Sequence, residues 1–239
     1  MGAQWKTKIK EMNANARGSV FTKLSREISV AARAGADPAM NSRLRLAIEQ
    51  AKKMSMPRDT VERAVKKGAG LLDGGAQYEK LTYEGFAPHR VPVIVECLTD
   101  NNNRTAPEIR VLFRAGSMGS VAWMFDHVGM IEAHTIKTDV DPETDALEAG
   151  ADDLEILTAQ DVEDLPDGAT AARFFTQLTA LDAVSKALKA AGWTITTAEL
   201  SYRPKDYPEL TDDQREEVTA FLQSLDEHDD VHRVHAAMK

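Results

Sequence analysis

The sequence contains a single cysteine, Cys97, in 239 residues. An intrachain disulfide is therefore impossible, and a cysteine-based metal cluster is excluded. Cys97 lies in the apolar run VPVIVECLT and reads as a small buried hydrophobe. No stretch approaches the roughly 18 apolar residues that span a bilayer. The N-terminal MGAQWKTKIKEMNANARG is basic but lacks the apolar centre of a secretory signal. No membrane partner is expected, and the chain is placed in the cytoplasm. The phosphate-binding glycine loops, a Ser–His–Asp spacing and an aligned carboxylate pair are all missing. No catalytic residue and no cofactor is expected. His228, His232 and His235 are spaced four and three apart, but they run into the strand-like VHRVHAAM and share no helical face, so no metal is expected either.

Anionic excess is what the first part of the chain lacks. Met1 to Asp73 holds fifteen Lys and Arg against seven Asp and Glu, an excess of +8, while the remainder holds fourteen against thirty-one, an excess of −17, together the net −9. A basic head on an acidic body attracts polyanions within about a Debye length.

The head reads as three helices. Phe21, Leu24, Ile28 and Ala31 form one apolar stripe, with Ser19 as cap and Gly35 as stop. Leu44, Ile48, Ala51 and Met54 form a second. Pro57 opens a third helix that carries Val61, Ala64 and Val65 inward and closes at Lys66-Lys67-Gly68. GLLDGGAQ reads as a linker. On the outer faces stand Lys23, Arg26 and Arg33, then Arg43, Arg45, Lys52 and Lys53, then Arg58, Arg63, Lys66 and Lys67. Lys6, Lys8 and Lys10 form a basic arm beside Trp5. Each contact of such a residue with phosphate releases counterions. The alternative is an ordinary solvated helix surface.

After Tyr78 the pattern changes to α/β. VPVIVECLT reads as a central strand. A helix is expected from Thr105, with Thr105 and Glu108 as a capping box and Pro107 in the first turn. SVAWMFDHVGMIEAH reads as a hairpin turning at Asp126 to Gly129, with Trp123 and Phe125 on one core-facing strand side and His127 and His134 at the surface. A second unit follows, with a helix at TDALEAG, strands at DLEILTA, ARFFTQL and WTITTAELSYRP, and an amphipathic helix aligned on Leu181, Val184 and Leu188. TDDQREEVTAFLQSLDEHDD and VHRVHAAM close the chain as helix and strand. The expected class is α+β, an N-terminal helical bundle followed by two split-βαβ (ferredoxin-like) α/β domains, one inserted in the other. The boundaries are 1–77, then 78–138 with 205–239, with 139–204 inserted.

In LTDNNNRTAPEIR the loop leaving the central strand gathers Asp100, Asn101, Asn103 and Arg104 at a helix start. That place suits an anion and makes a second polar contact site. Turn chemistry and a cap explain the same residues equally well. Asp100 and Glu96 are the only carboxylates near this loop that a nuclease could use, and nothing pairs with them.

The segments FTKLSREISVAARAG, NSRLRLAIEQAKKMSMPRDTVERAVKKGAG, YEGFAP, VECLTDNNNRTAPEIR, GSVAWMFDHVGMI and LKAAGWTITTAELSYRP, with the terminal LDEHDDVHRV, together resemble the YebC/PmpR family over nearly the whole chain. The resemblance implies an N-terminal bundle and two α/β domains, one inserted in the other. It implies a DNA-binding transcriptional regulator of the cytoplasm. The other reading it carries is a ribosome-associated translation factor that eases elongation through proline-rich stretches, as in a related mitochondrial activator. The implied partners are duplex DNA, or ribosomal RNA and tRNA, with a protein partner on the acidic domains. Three departures stand out: the N-terminal arm MGAQWKTKIK lacks the family's histidine, Asn102 stands where the family has arginine, and the glycine loop is shortened to RAGSMGS.

Overall fold

The computed structural model describes residues 14–72, 78–159, 161–162 and 165–238. Lys6, Lys8, Lys10 and Trp5 lie outside the described residues, as does the linker core 73–77. The described residues form two compact units, one built from 14–124 together with 204–238, the other from 125–203.

The first unit begins with helices α1 (Ala14–Ala32), α2 (Ser42–Lys53) and α3 (Arg58–Gly68). Leu24, Ile28, Ala31, Leu44, Ala47, Ala51, Met56, Val61 and Ala64 bury one another between them. Asn41 caps α2 by accepting the Leu44 N–H. The Ser29 hydroxyl donates to the Ala64 carbonyl at 3.0 Å. Gly68 lies against the Ser29 backbone, where a side chain would collide, so α1 and α3 approach more closely than alanine would allow.

The sheet of this unit has the order β3-β1-β2-β8, made from β1 (Glu79–Phe86), β2 (Pro92–Thr99), β3 (Ser117–Met118) and β8 (Val231–Ala236). All three pairings are antiparallel. Every residue of β2 is buried, as its unbroken apolar run demands of a strand covered on both faces. Cys97 is buried there. Burial, with the charges of Asp230 and Glu96, pushes its thiol up to about 12, so it is inert at neutral pH. Helices α4 (Asn102–Leu112) and α7 (Asp212–Asp226) pack together, with Phe113 and Phe221 edge to face at 5.5 Å. Thr211 and Gln214 cap α7 reciprocally. Among the described residues no helix is long and apolar enough to cross a membrane.

The second unit runs β4 (Phe125–Thr135), α5 (Pro142–Ala149), β5 (Asp153–Leu157), β6 (Thr170–Thr176), α6 (Leu181–Ala191) and β7 (Thr194–Pro204), with sheet order β5-β6-β4-β7. That βαββαβ order, with β6 between β4 and β5, is the split-βαβ pattern. Its core sets Phe174 edge to face against Trp193 at 5.0 Å, and the Trp193 indole N–H donates to Asp145 at 2.7 Å. The chain leaves the first unit at Met124 and re-enters at Pro204, where the Lys205 N–H donates to the Met124 carbonyl at 2.9 Å.

The inserted segment therefore starts at 125, not 139, and the three helices share one compact unit with the first sheet. The reason is β4. The hairpin expected in SVAWMFDHVGMIEAH is one long strand, preceded by a 3-10 turn at Ala122–Met124. Gly129 is not a turn residue. Opposite Thr176, it leaves room for the Thr176 hydroxyl and Leu181, which a Cβ would strike. Trp123 lies in the 3-10 turn and is 69% exposed, whereas Phe125 is buried. The backbone N–H groups of Val121 and Ala122 both donate to the Glu84 carboxylate at 2.7 Å, which sets this turn.

Candidate nucleic-acid interface

The polar loop at the end of β2 comes first, because its chemistry is turned inward. Helix α4 starts at Asn102, three residues before the expected Thr105, because Asn101 is its N-cap and accepts the Arg104 N–H at 3.2 Å. Thr105 is buried inside the helix. Its hydroxyl donates toward Asp230 at 2.7 Å and lies 2.8 Å from the Thr99 hydroxyl. Arg104 holds both oxygens of the Asp230 carboxylate, at 3.1 and 2.8 Å, and reaches Asp100 at 3.4 Å. Asn103 is exposed, and so is Asn102. Of the four residues expected to form a second contact site, Arg104 and Asp100 are thus paired with each other and Asn101 serves as the cap.

Asp230 also takes Arg26 of α1 at 3.1 Å, and its side chain is only 2% exposed. Burial raises the Asp230 carboxyl, but the hydrogen bonds of Arg104 and Thr105 and the charges of Arg104 and Arg26 outweigh it and hold it below its usual range. Arg26 further donates to the carbonyls of Leu98 and Asp229. It lies over the Tyr78 ring, which Lys67 also approaches at 4.9 Å. Lys23 bonds the Asp226 carbonyl and its carboxylate, the latter at 3.3 Å.

Glu27, next to Arg26 on α1, meets Arg233 at 3.0 Å and His232 at 3.3 Å. Burial works against its charge, yet Arg233 and His232, with Arg43 beyond, hold its carboxyl far below the usual carboxylate range. Glu96 resembles it. Burial raises it, the His235 hydrogen bond and charge and the nearby Lys80 lower it, and the result is about 2.

Lys23 and Arg26 therefore do not belong to an outward basic face. They are ion-paired to the turn between α7 and β8 and join helix to sheet. The remaining cations differ. Arg33, Arg43, Lys52, Lys53, Arg58, Arg63 and Lys66 are exposed. Arg58 is 89% exposed and pairs only with Glu62 one turn along, at 2.8 Å. Arg45 is partly covered and donates to the Pro38 carbonyl at 3.1 Å.

The side chains of Glu108, His228 and Asp230 converge, with potential ligand atoms within 4.8 Å of one another. The hydrogen bonding there is already complete. His228 Nδ1 accepts the Asp230 N–H at 3.1 Å, which leaves the proton on Nε2, 3.0 Å from Glu108. Asp230 is held by two arginines. The cluster reads as an ion-pair network. Glu96 and Asp100, the carboxylates nearest the loop, are paired too.

Sequence reasoning missed Asp230, Glu27 and Arg233. The acidic run DEHDD reads as the end of the terminal helix and carries no sign of which carboxylate would be buried. It also passed over the groove between α2 and α3, although Ile48, Val61 and Val65 were already on the apolar stripes.

Fold and surface together define an α+β protein in which a helical head with an exposed cationic side is joined to two antiparallel sheet units. The chain belongs to the TACO1/YebC family: the model of the TACO1/YebC N-terminal domain matches residues 2–71, and that of the TACO1/YebC second and third domain matches residues 78–238. A protein of Pseudomonas syringae pv. syringae, named a probable transcriptional regulatory protein, is 60% identical over 242 residues, covering 100% of this chain and 99% of that one. A protein of Bdellovibrio bacteriovorus with the same designation is 52% identical over 244 residues, covering both chains completely at 100%. The crystal structure of a conserved hypothetical protein, Aq1575, from Aquifex aeolicus superposes with a TM-score of 0.78 at 37% identity, over 93% of this chain and 90% of that one.

Proposed function

We propose that the protein is a nucleic-acid-binding regulator of gene expression that acts in the cytoplasm by binding and not by catalysis. One observation carries the reading. The cations left exposed on the head, Arg33, Arg43, Lys52, Lys53, Arg58, Arg63 and Lys66, gather on α2, on α3 and just past the end of α1, in a molecule whose remainder is acidic. Such a face grips phosphates and releases counterions, while the acidic body discourages indiscriminate coating of polyanions and offers a surface to a protein partner. Lys6, Lys8 and Lys10, outside the described residues, add charge of the same sign to the head. The relatives are named probable transcriptional regulatory proteins, which supports a regulator of transcription; duplex DNA is the target that a phosphate-gripping face suits in that role. A translational role on ribosomal RNA and tRNA stands beside it for a specific reason: the cations flank an apolar groove, for which the phosphates of a smooth duplex have no use.

The test is a salt titration of binding to promoter duplex, run beside co-sedimentation with intact ribosomes. Promoter-dependent affinity that falls steeply with salt supports the transcriptional form. Ribosome dependence with no promoter preference replaces it with the translational one, and binding to neither ends the proposal.

A further inference from the structure

Between α2 and α3 lies an open groove of about 480 Å³, lined by Pro38, Ile48, Val61 and Val65 and edged by Lys52, Arg58, Glu62 and Lys66. Its composition follows from helical spacing. Ile48 and Lys52 are one turn apart on α2, and Val61 and Val65 one turn apart on α3, with Glu62 and Lys66 beside them. Ile48 and Val65 pack against the head's core yet remain only partly buried. Each gives one side to the core and the other to the groove. Among the described residues, the one carboxylate at the rim is Glu62, which is engaged by Arg58. Among the described residues, neither Lys52 nor Lys66 has an ion-pair partner.

Resting on the nucleic-acid reading above, we infer that this groove holds an unpaired nucleotide, with the base on the Ile48–Val61–Val65 floor and its flanking phosphates on Lys52 and Lys66. Duplex phosphates need cations alone. An apolar floor between two unpaired lysines suits a base that has left its stack, since such a base offers an apolar face and carries its phosphates at either edge. The groove is of the size that takes a small ligand, roughly 300–1,000 Å³. An acidic amphipathic peptide helix would instead need a longer row of apolar anchors at i, i+3, i+4 and i+7.

The test compares fluorescence anisotropy of the full chain with a labelled RNA hairpin bearing an unpaired loop, and with a fully paired RNA duplex of equal phosphate count. The hairpin is expected to bind about tenfold tighter, the effect of removing roughly 55 Å² of apolar surface from water. Ile48→Gln should reduce hairpin binding to the duplex level and leave duplex affinity and its salt slope unchanged. Pro38→Ser, in the loop before α2, should weaken hairpin binding in the same selective way if Ile48→Gln folds poorly. The same hairpin in DNA separates a requirement for the 2′-hydroxyl from a requirement for an unpaired base. Equal affinity for hairpin and duplex overturns the inference and leaves the phosphate grip standing. Floor-dependent binding of an acidic amphipathic peptide that hairpin RNA does not displace also overturns it. Failure of both RNAs and of promoter duplex to bind at low salt overturns the reading on which it rests.

Discussion

The cations of α1 and those of α2 and α3 are the same residue types on the same kind of helix, yet they have opposite fates. Lys23 and Arg26 are drawn into the turn before β8 and bound by Asp226 and Asp230. Arg43, Lys52, Arg58 and Lys66 stay on the surface. A positive charge on an amphipathic helix is thus ambiguous until its opposite face has found a partner. One set fastens the head to the sheet, and the other stays exposed to solvent.

The largest expected effect breaks the inward set. Asp230→Asn should lower unfolding free energy by about 3 kcal/mol, because it leaves Arg26 and part of Arg104 without a counter-charge. Urea denaturation measures this, and a loss near zero would mean that the network is not structural. Next, Arg26→Met should destabilise by about 2 kcal/mol, whereas Arg58→Met, whose partner is a solvent-exposed Glu62, should stay within about 0.5 kcal/mol. Equal effects would erase the distinction between the two sets.

The converse experiment neutralises the outward set. The triple variant Arg43→Gln, Lys52→Gln, Arg58→Gln should keep its melting temperature within a few degrees. It should lose about tenfold or more in affinity for nucleic acid, with the salt slope on duplex shallower by nearly one for each contact removed. A melting temperature that collapses with affinity would place those residues in the first set.

The pH dependence gives a smaller signal. Asp230 and Glu27 are held below their ordinary range, and Glu96 at about 2. Depressed carboxyls bind more protons when unfolded, so their stabilisation is complete above the ordinary carboxylate range near pH 4 to 5 and is lost as pH falls through the folded values. Thermal melts should therefore decline between about pH 4.5 and 2, and Asp230→Asn should flatten the decline. The smallest effect belongs to exposed Trp123, where Trp123→Ala should change stability by less than about 0.5 kcal/mol, as read by the same melts.

Much of the fold was legible because periodicity is local. The stripes of Leu24–Ile28, Leu44–Ala51 and Val61–Ala64 marked three helices, and the unbroken β2 run marked a central strand. The errors were equally local. Gly129 was read as a turn because a glycine's neighbours across a sheet are invisible in sequence. Thr105 reads as the cap because it opens a Thr-x-x-Glu pattern, whereas Asn101, a capping residue type without that pattern, is selected by the structure. In the candidate interface, the outward cations of α2 and α3 stayed where the pattern put them, while Lys23, Arg26 and Arg104 did not.

By itself, the amino-acid sequence determined most of the helices and strands, the apolar stripes and the division into a cationic head and an acidic body, since each depends on neighbouring residues or on counting. Only the tertiary structure decided which charges are consumed inside the protein, because Lys23 and its carboxylate partner are 203 positions apart. It also decided that α2 and α3 leave an apolar groove between their cations. A charge becomes available to a ligand only after folding has brought every competing carboxylate within reach and left it unpaired.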